Sequence, residues 1–138
     1  MNSSASSRNE CQKALLAEDD SLIRELVAHY LQKLGYEVCE APNGAVALEL
    51  LEANAGNSFD LIVTDLLMPK ASGETVVKQA KAKGACDRFL IMSGNPVGPQ
   101  DKKLGIGAHS RYIEKPFTFG DFESKLHALV EEPIPQGA

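Results

Sequence analysis

Five short apolar runs alternate with longer stretches of helical spacing along this chain, and no other feature limits its fold as strongly. The runs fall at Leu15 to Ala17, Tyr36 to Glu40, Leu61 to Thr64, Phe89 to Met92 and Arg111 to Ile113. The third is apolar on both faces, as a strand covered by helices on each side must be. After Asp20 and Ser21, either able to cap a helix, Leu22, Ile23, Leu26, Val27, Tyr30, Leu31 and Leu34 recur at helical spacing until Gly35 supplies the stop. Pro42-Asn43-Gly44 marks a turn, and a second helix is predicted from Ala45 to Ala53, ending near Gly56. A third runs from Glu74 to Lys83, with Gly84 beyond it. A short, weakly patterned fourth helix follows the loop of Gly94, Pro96, Gly98 and Pro99 and reaches about Leu104. The fifth starts near Thr118 and carries Phe122, Leu126, Leu129 and Val130.

Five strands alternating with five helices predict an α/β fold, a parallel sheet covered on both faces. Right-handed crossovers make it doubly wound. With 138 residues, of which 43% are hydrophobic, one core suffices without disulfides or a structural metal. Residues 1–12, rich in Ser and Asn, read as a flexible tail; 13–131 form the domain; 132–138, with Pro133 and Pro135, form a C-terminal tail or linker.

The 14 basic and 19 acidic side chains leave a net charge of -5 and no basic stripe, which argues against direct nucleic-acid binding. Cys11, Cys39 and Cys86 are odd in number, widely spaced and without a CxxC pair, so they read as reduced thiols. No apolar run approaches the roughly 20 residues of a membrane helix, and MNSSASSRNE has no secretory hydrophobic segment. A cytoplasmic location without membrane insertion is expected.

The chemistry collects at the strand ends. Glu18 and Asp19 close KALLAEDD, Asp65 closes FDLIVTD, Ser93 closes RFLIMS, and Lys115 follows RYIEK. In doubly wound sheets ligands bind beyond the carboxyl ends of the strands. Singly, each residue has an ordinary role: Asp19 or Asp20 as a helix cap, Asp65 as a turn former, Ser93 as a cap, Lys115 as a surface charge. Gathered at one edge, the carboxylates repel one another unless a cation lies between them. Mg²⁺ suits a site of few carboxylates because it takes hard oxygen ligands and keeps waters and phosphate oxygens. Beside Mg²⁺ and a lysine, a strand-end aspartate can attack a phosphoryl group. Ser93 adds a hydroxyl, and Gly94 leaves the approach to Asp65 open.

Over about residues 12 to 132 the chain resembles the receiver domains of bacterial two-component response regulators. The resemblance rests on the acidic pair in AEDD, Asp65 in TDLLMP, Gly73, Ser93-Gly94, Tyr112 and Lys115-Pro116-Phe117. It implies a flavodoxin-like sheet of strand order 2-1-3-4-5, in a chemotaxis-regulator-like stand-alone protein or the receiver of a hybrid histidine kinase. It further implies that Asp65 accepts a phosphoryl group from a histidine kinase or histidine phosphotransfer protein. Glu18, Asp19, Asp65 and the Leu67 backbone carbonyl would bind Mg²⁺, and Lys115 would bind the phosphoryl group. Ser93 and Tyr112 would be the switch pair, acting on a downstream protein partner through the fourth helix, fifth strand and fifth helix. The Lys115–Pro116 bond would be cis, and Asp20 would be left as a cap. The domain would assist its own phosphorylation and dephosphorylation but catalyse no other reaction. Leu67 and Asn95 are less typical; Leu67 has no polar group to orient a hydrolytic water, which predicts slow loss of the phosphoryl group.

Rival readings fit less well. A flavodoxin-like cofactor protein needs a Ser/Thr/Gly-rich phosphate loop where this chain has Glu18-Asp19-Asp20. A haloacid-dehalogenase-type phosphatase needs DxD after the first strand, and Asp65-Leu66-Leu67 lacks the second carboxylate. A pseudo-receiver would lack pocket residues that are all present here.

Overall fold

A computed structural model of the chain describes residues 12–53, 59–68, 70–86, 88–94 and 110–131. In order these form β1 (Gln12–Ala17), α1 (Ser21–Lys33), β2 (Tyr36–Ala41), α2 (Gly44–Ala53), β3 (Leu61–Asp65), α3 (Gly73–Lys83), β4 (Phe89–Ser93), β5 (Ser110–Glu114) and α4 (Phe119–Glu131). The helix predicted to reach about Leu104 lies outside the described residues, as does the boundary near Gly56. The chain's predicted fifth helix is therefore α4.

The helix ends carry side-chain caps. Asp20 Oδ1 accepts from the backbone of Leu22 and Ile23 at 2.9 and 3.2 Å, which fixes the start of α1. Asn43 Oδ1 accepts from Val46 at 2.9 Å, so the Pro42-Asn43-Gly44 turn is also the cap of α2. Ser72 caps α3, which ends on Gly84 in the left-handed conformation at φ 67°. Thr118 and Asp121 cap α4 reciprocally: the Thr118 N–H donates to Asp121 Oδ2, and the Asp121 N–H donates to Thr118 Oγ1, both at 3.0 Å.

All four strand pairings are parallel, in the order β2-β1-β3-β4-β5. Strand alternation divides the core into two clusters. Ala14, Leu16, Leu61, Val63, Leu90, Met92 and Ile113 face α1 and α4, where Val27, Leu31, Phe122, Leu126 and Leu129 meet them. Leu15, Ala17, Ile62, Phe89 and Ile91 face α2 and α3, against Ala47, Leu51, Val76, Val77 and Ala80. β1 begins at Gln12, earlier than its apolar run, because Gln12 and Lys13 pair with Tyr36 and Glu37 of β2. Pairing extended this strand beyond its burial.

Candidate phosphoacceptor site

Register sets the strand ends side by side. Ala17 of β1 lies opposite Thr64, Asp65 lies opposite Met92, and Ser93 lies opposite Glu114. The ladder continues past the strands: Glu18 N–H donates to the Ala41 carbonyl at 3.0 Å, Leu66 N–H to Met92 at 2.9 Å and Lys115 N–H to Ser93 at 2.7 Å. Glu18, Asp65 and Lys115 share the alternation of Leu16, Val63 and Ile113, so all three leave the edge on the α1/α4 side.

They meet there. Lys115 Nζ lies 3.0 Å from Glu18 Oε1 and 3.2 Å from Asp65 Oδ2. One carboxylate oxygen from each of Glu18, Asp19 and Asp65 falls within 4.8 Å of the others. Glu18 is fully buried, Asp65 nearly so, and Asp19 exposed. The other oxygen of Glu18 accepts the Asp20 N–H at 3.0 Å, which orients the carboxylate while Asp20 itself caps α1.

The pocket's charge does not balance. Burial first, and then the neighbouring carboxylate charge, hold the acids of Glu18 and Asp65 above the ordinary carboxyl range despite Lys115. For Lys115, burial pulls downward, but the bonds and charges of Glu18 and Asp65 outweigh it and hold the ammonium above its usual value. Three carboxylates facing one ammonium leave two formal negative charges uncompensated, the charge of one divalent cation. The donor set is all oxygen, which fits Mg²⁺.

Ser93 ends β4, buried beside this edge. Tyr112 lies opposite Ile91 and packs among the α2/α3 cluster, on the other side of the sheet from Asp65. Leu67 is 68% exposed, an apolar side chain in water two residues past Asp65. The Lys115–Pro116 peptide is cis. Gly73 is required by packing: a Cβ there would run into the Asp65 backbone carbonyl, and its N–H donates to Leu66 at 2.9 Å. At Gly94 a Cβ would meet no atom of the described residues within 4 Å. Asn95 lies outside the described residues. Cys39 and Cys86, half-buried and buried, are in no disulfide among the described residues, and the Cys86 thiol donates to the Arg88 carbonyl at 3.2 Å. Among the described residues no helix is long and apolar enough to cross a membrane.

Two contributors escaped the sequence reading. Arg24 reaches back from α1 to donate to the Glu18 carbonyl at 2.9 Å. Gly44 lets α2 start against Ala71, whose backbone carbonyl a Cβ would strike. Arg24 had one signal: a cation in the opening turn of a helix, where the helix dipole favours acids. Gly44 had none beyond its turn.

An open parallel sheet with an acid cluster and a lysine at its carboxyl edge defines a phosphoacceptor architecture, and comparison with known proteins gives the family. Residues 14–127 match the response regulator receiver domain, and the chain belongs to that family, the phosphoacceptor domains of two-component signalling. The transcriptional regulatory protein YcbL of Bacillus subtilis is 32% identical over 125 residues, covering 90% of this chain and 53% of that protein. The sensor kinase CckA of Brucella abortus is 29% identical, covering 86% of this chain and 12% of that protein. The chain thus spans about half the length of the first relative and far less of the second. The chemotaxis protein CheY4 of Vibrio cholerae superposes with a TM-score of 0.74 at 28% identity, covering 86% of this chain and 98% of that one.

Proposed function

We propose that Asp65 is the residue phosphorylated, that Glu18, Asp19, Asp65 and the Leu67 backbone carbonyl hold Mg²⁺, and that Lys115 holds the phosphoryl group. One observation carries this reading: the Lys115 ammonium touches Asp65 in a pocket whose three carboxylates exceed its charge by two. The donor is a phosphohistidine on a histidine kinase or histidine phosphotransfer protein. An Asp65 oxygen attacks phosphorus, the P–N bond to the donor imidazole breaks, and the imidazole leaves taking a proton from solvent. A bound Mg²⁺ offsets charge on the phosphoryl oxygens. Lys115, already 3.2 Å from Asp65 Oδ2, is in reach of the incoming oxygens. Glu18 holds the lysine from the other side, so the ammonium stays at the pocket when Asp65 becomes an acyl phosphate.

The phosphorylated Asp65 offers new acceptor oxygens to the Ser93 hydroxyl. Movement of Ser93 leaves room that Tyr112 fills by turning inward, which changes the surface around β5 and α4 and the helix before them. A downstream protein reads that surface. The domain works in the cytoplasm, contacts no nucleic acid itself, and catalyses nothing beyond its own phosphorylation and dephosphorylation. Larger proteins built around it can add an output, as the regulator and kinase relatives suggest.

The test is intact-mass spectrometry after incubation with Mg²⁺ and acetyl phosphate. One phosphoryl group should add to the wild type and none to Asp65→Asn, and chelation of Mg²⁺ should prevent labelling. Undiminished labelling of Asp65→Asn would sink the assignment.

A further inference from the structure

Glu18 is held at every polar position of its backbone and side chain, and one of those holds is out of place for a helix. Its N–H donates to Ala41 at 3.0 Å, and its Oε2 accepts from Asp20 at 3.0 Å. Its carbonyl, half of the peptide that joins it to Asp19, accepts from Arg24 Nη1 at 2.9 Å. The Arg24 Nε lies 3.3 Å from Glu40 Oε1, near the end of β2. One guanidinium therefore ties the first strand end to the second, from a helix that begins between them. Helix stability is a poor reason for a cation here, since the helix dipole disfavours positive charge in the opening turn of α1 and the Asp20 carboxylate before it caps the Leu22 and Ile23 N–H groups. The side chain is only 21% exposed, so it is committed to these contacts rather than to solvent.

The peptide between Glu18 and Asp19 sets the directions in which two carboxylates of the pocket leave the backbone. We propose that Arg24 is a positioning residue that fixes this peptide for Mg²⁺ binding, and that Glu40 anchors Arg24 in turn. The proposal rests on the reading of Glu18 and Asp19 as Mg²⁺ ligands. Arg24 touches neither metal nor phosphoryl group; it acts through the plane of one peptide. Partners of this outer kind carry about a tenfold or greater share of a metal site's affinity. The guanidinium fork is what allows simultaneous contact with a carbonyl and a carboxylate, which a lysine ammonium on its single stem cannot reproduce.

The experiment is Mg²⁺ titration calorimetry on the unphosphorylated full chain, with the melting temperature of the metal-free protein measured alongside. Arg24→Met, which keeps the apolar stem, should weaken Mg²⁺ by about tenfold. Arg24→Lys should recover little of that loss. Glu40→Gln should weaken Mg²⁺ by about threefold, as befits a half-exposed anchor. The phosphorylation rate of Arg24→Met should return to the wild-type value at saturating Mg²⁺, because only the metal affinity has changed. A merely structural arginine would lower the melting temperature and leave the Mg²⁺ dissociation constant unmoved, and that result overturns the proposal. If Arg24→Met does not fold, Glu40→Gln decides by the same criterion. Glu18→Gln separates the two readings: wild-type Mg²⁺ affinity in that variant refutes the pocket itself. Lost affinity in Glu18→Gln, with wild-type affinity in Arg24→Met and Glu40→Gln, refutes only the role of Arg24.

Discussion

Asp65→Asn removes one negative charge from the acidic pocket while keeping the shape of the side chain, and the metal-free protein should become more stable for it. The Asp65 carboxylate lies within 4.8 Å of those of Glu18 and Asp19 and 3.2 Å from the Lys115 ammonium. Each like-charge pair at that separation costs ~1 kcal/mol in water and ~3.5 kcal/mol at an effective dielectric of about 20. The lysine returns ~1.3 to ~5 kcal/mol over the same range. Two repulsions and one attraction therefore come close to cancelling. Burial decides the sign, since it is the largest influence holding the Asp65 acid above its ordinary range. The expected gain is about 1 kcal/mol, the scale of a partly hydrated buried charge.

Two linkages sharpen that expectation. A carboxyl whose folded pKa is raised binds more protons in the folded state, so wild-type stability falls as pH rises from the ordinary carboxyl value through the raised one. The advantage of Asp65→Asn should thus be full at neutral pH and fade as pH falls through that window. On the proposed ligand set Mg²⁺ should act in the opposite direction, adding about 2.7 kcal/mol to the wild type at a hundredfold excess over its dissociation constant. The variant lacks the proposed ligand and should gain less, so saturating Mg²⁺ should reverse the order. Urea unfolding followed by circular dichroism, in chelator and then in Mg²⁺ at several pH values, measures all three effects. A variant less stable than the wild type in chelator at neutral pH would show that the electrostatic account of the pocket is wrong.

Three further substitutions probe other parts of the site. Lys115→Met should slow phosphorylation by acetyl phosphate about a hundredfold, the usual scale for losing a preorganised charge at a developing anion; a rate within twofold of the wild type would remove the lysine from the reaction. Leu67→Asn places an amide where an exposed leucine now meets water and should shorten the lifetime of the phosphorylated protein severalfold, so an unchanged decay rate counts against the slow-hydrolysis reading. Gly73→Ala should cost about 1–3 kcal/mol because its methyl group strikes the Asp65 carbonyl, whereas Gly94→Ala, whose methyl group meets no atom of the described residues within 4 Å, should cost under about 0.5 kcal/mol. Equal unfolding midpoints for the two glycine variants would contradict the packing argument.

The fold was legible because period and pairing agree. Runs such as Leu61–Thr64 are too apolar for a one-sided sheet, and the helices between them carry their own start and stop residues. The order β2-β1-β3-β4-β5 came from the family resemblance, and the structure has it. Strand and helix limits were less legible. Gln12 and Lys13 join β1 through backbone pairing with β2, a contact that hydrophobicity does not encode. Gly44 passed as a turn residue because the Ala71 carbonyl that excludes a side chain comes from a distant loop. Arg24 was legible only as an oddity of helix charge. In each case the missing information was a tertiary neighbour.

The two-residue period of the strands also organises the chemistry. Counting outward from the core, Leu16, Val63 and Ile113 lead to Glu18, Asp65 and Lys115, so the parity that buries the α1/α4 face also brings these charges together. Ile91 belongs to the other parity, and its neighbour Tyr112 packs on the α2/α3 face. Asp65 and Tyr112 therefore stand on opposite sides of one sheet. A signal between them cannot travel along a single packed layer. The proposed switch takes it around the carboxyl edge, where Ser93 is buried at the end of β4 and bonded through its carbonyl to the Lys115 N–H at 2.7 Å. For the proposed switch this placement is a physical reason to use a hydroxyl here: among the described residues, Ser93 lies at the edge between the pocket on one face and the packing on the other.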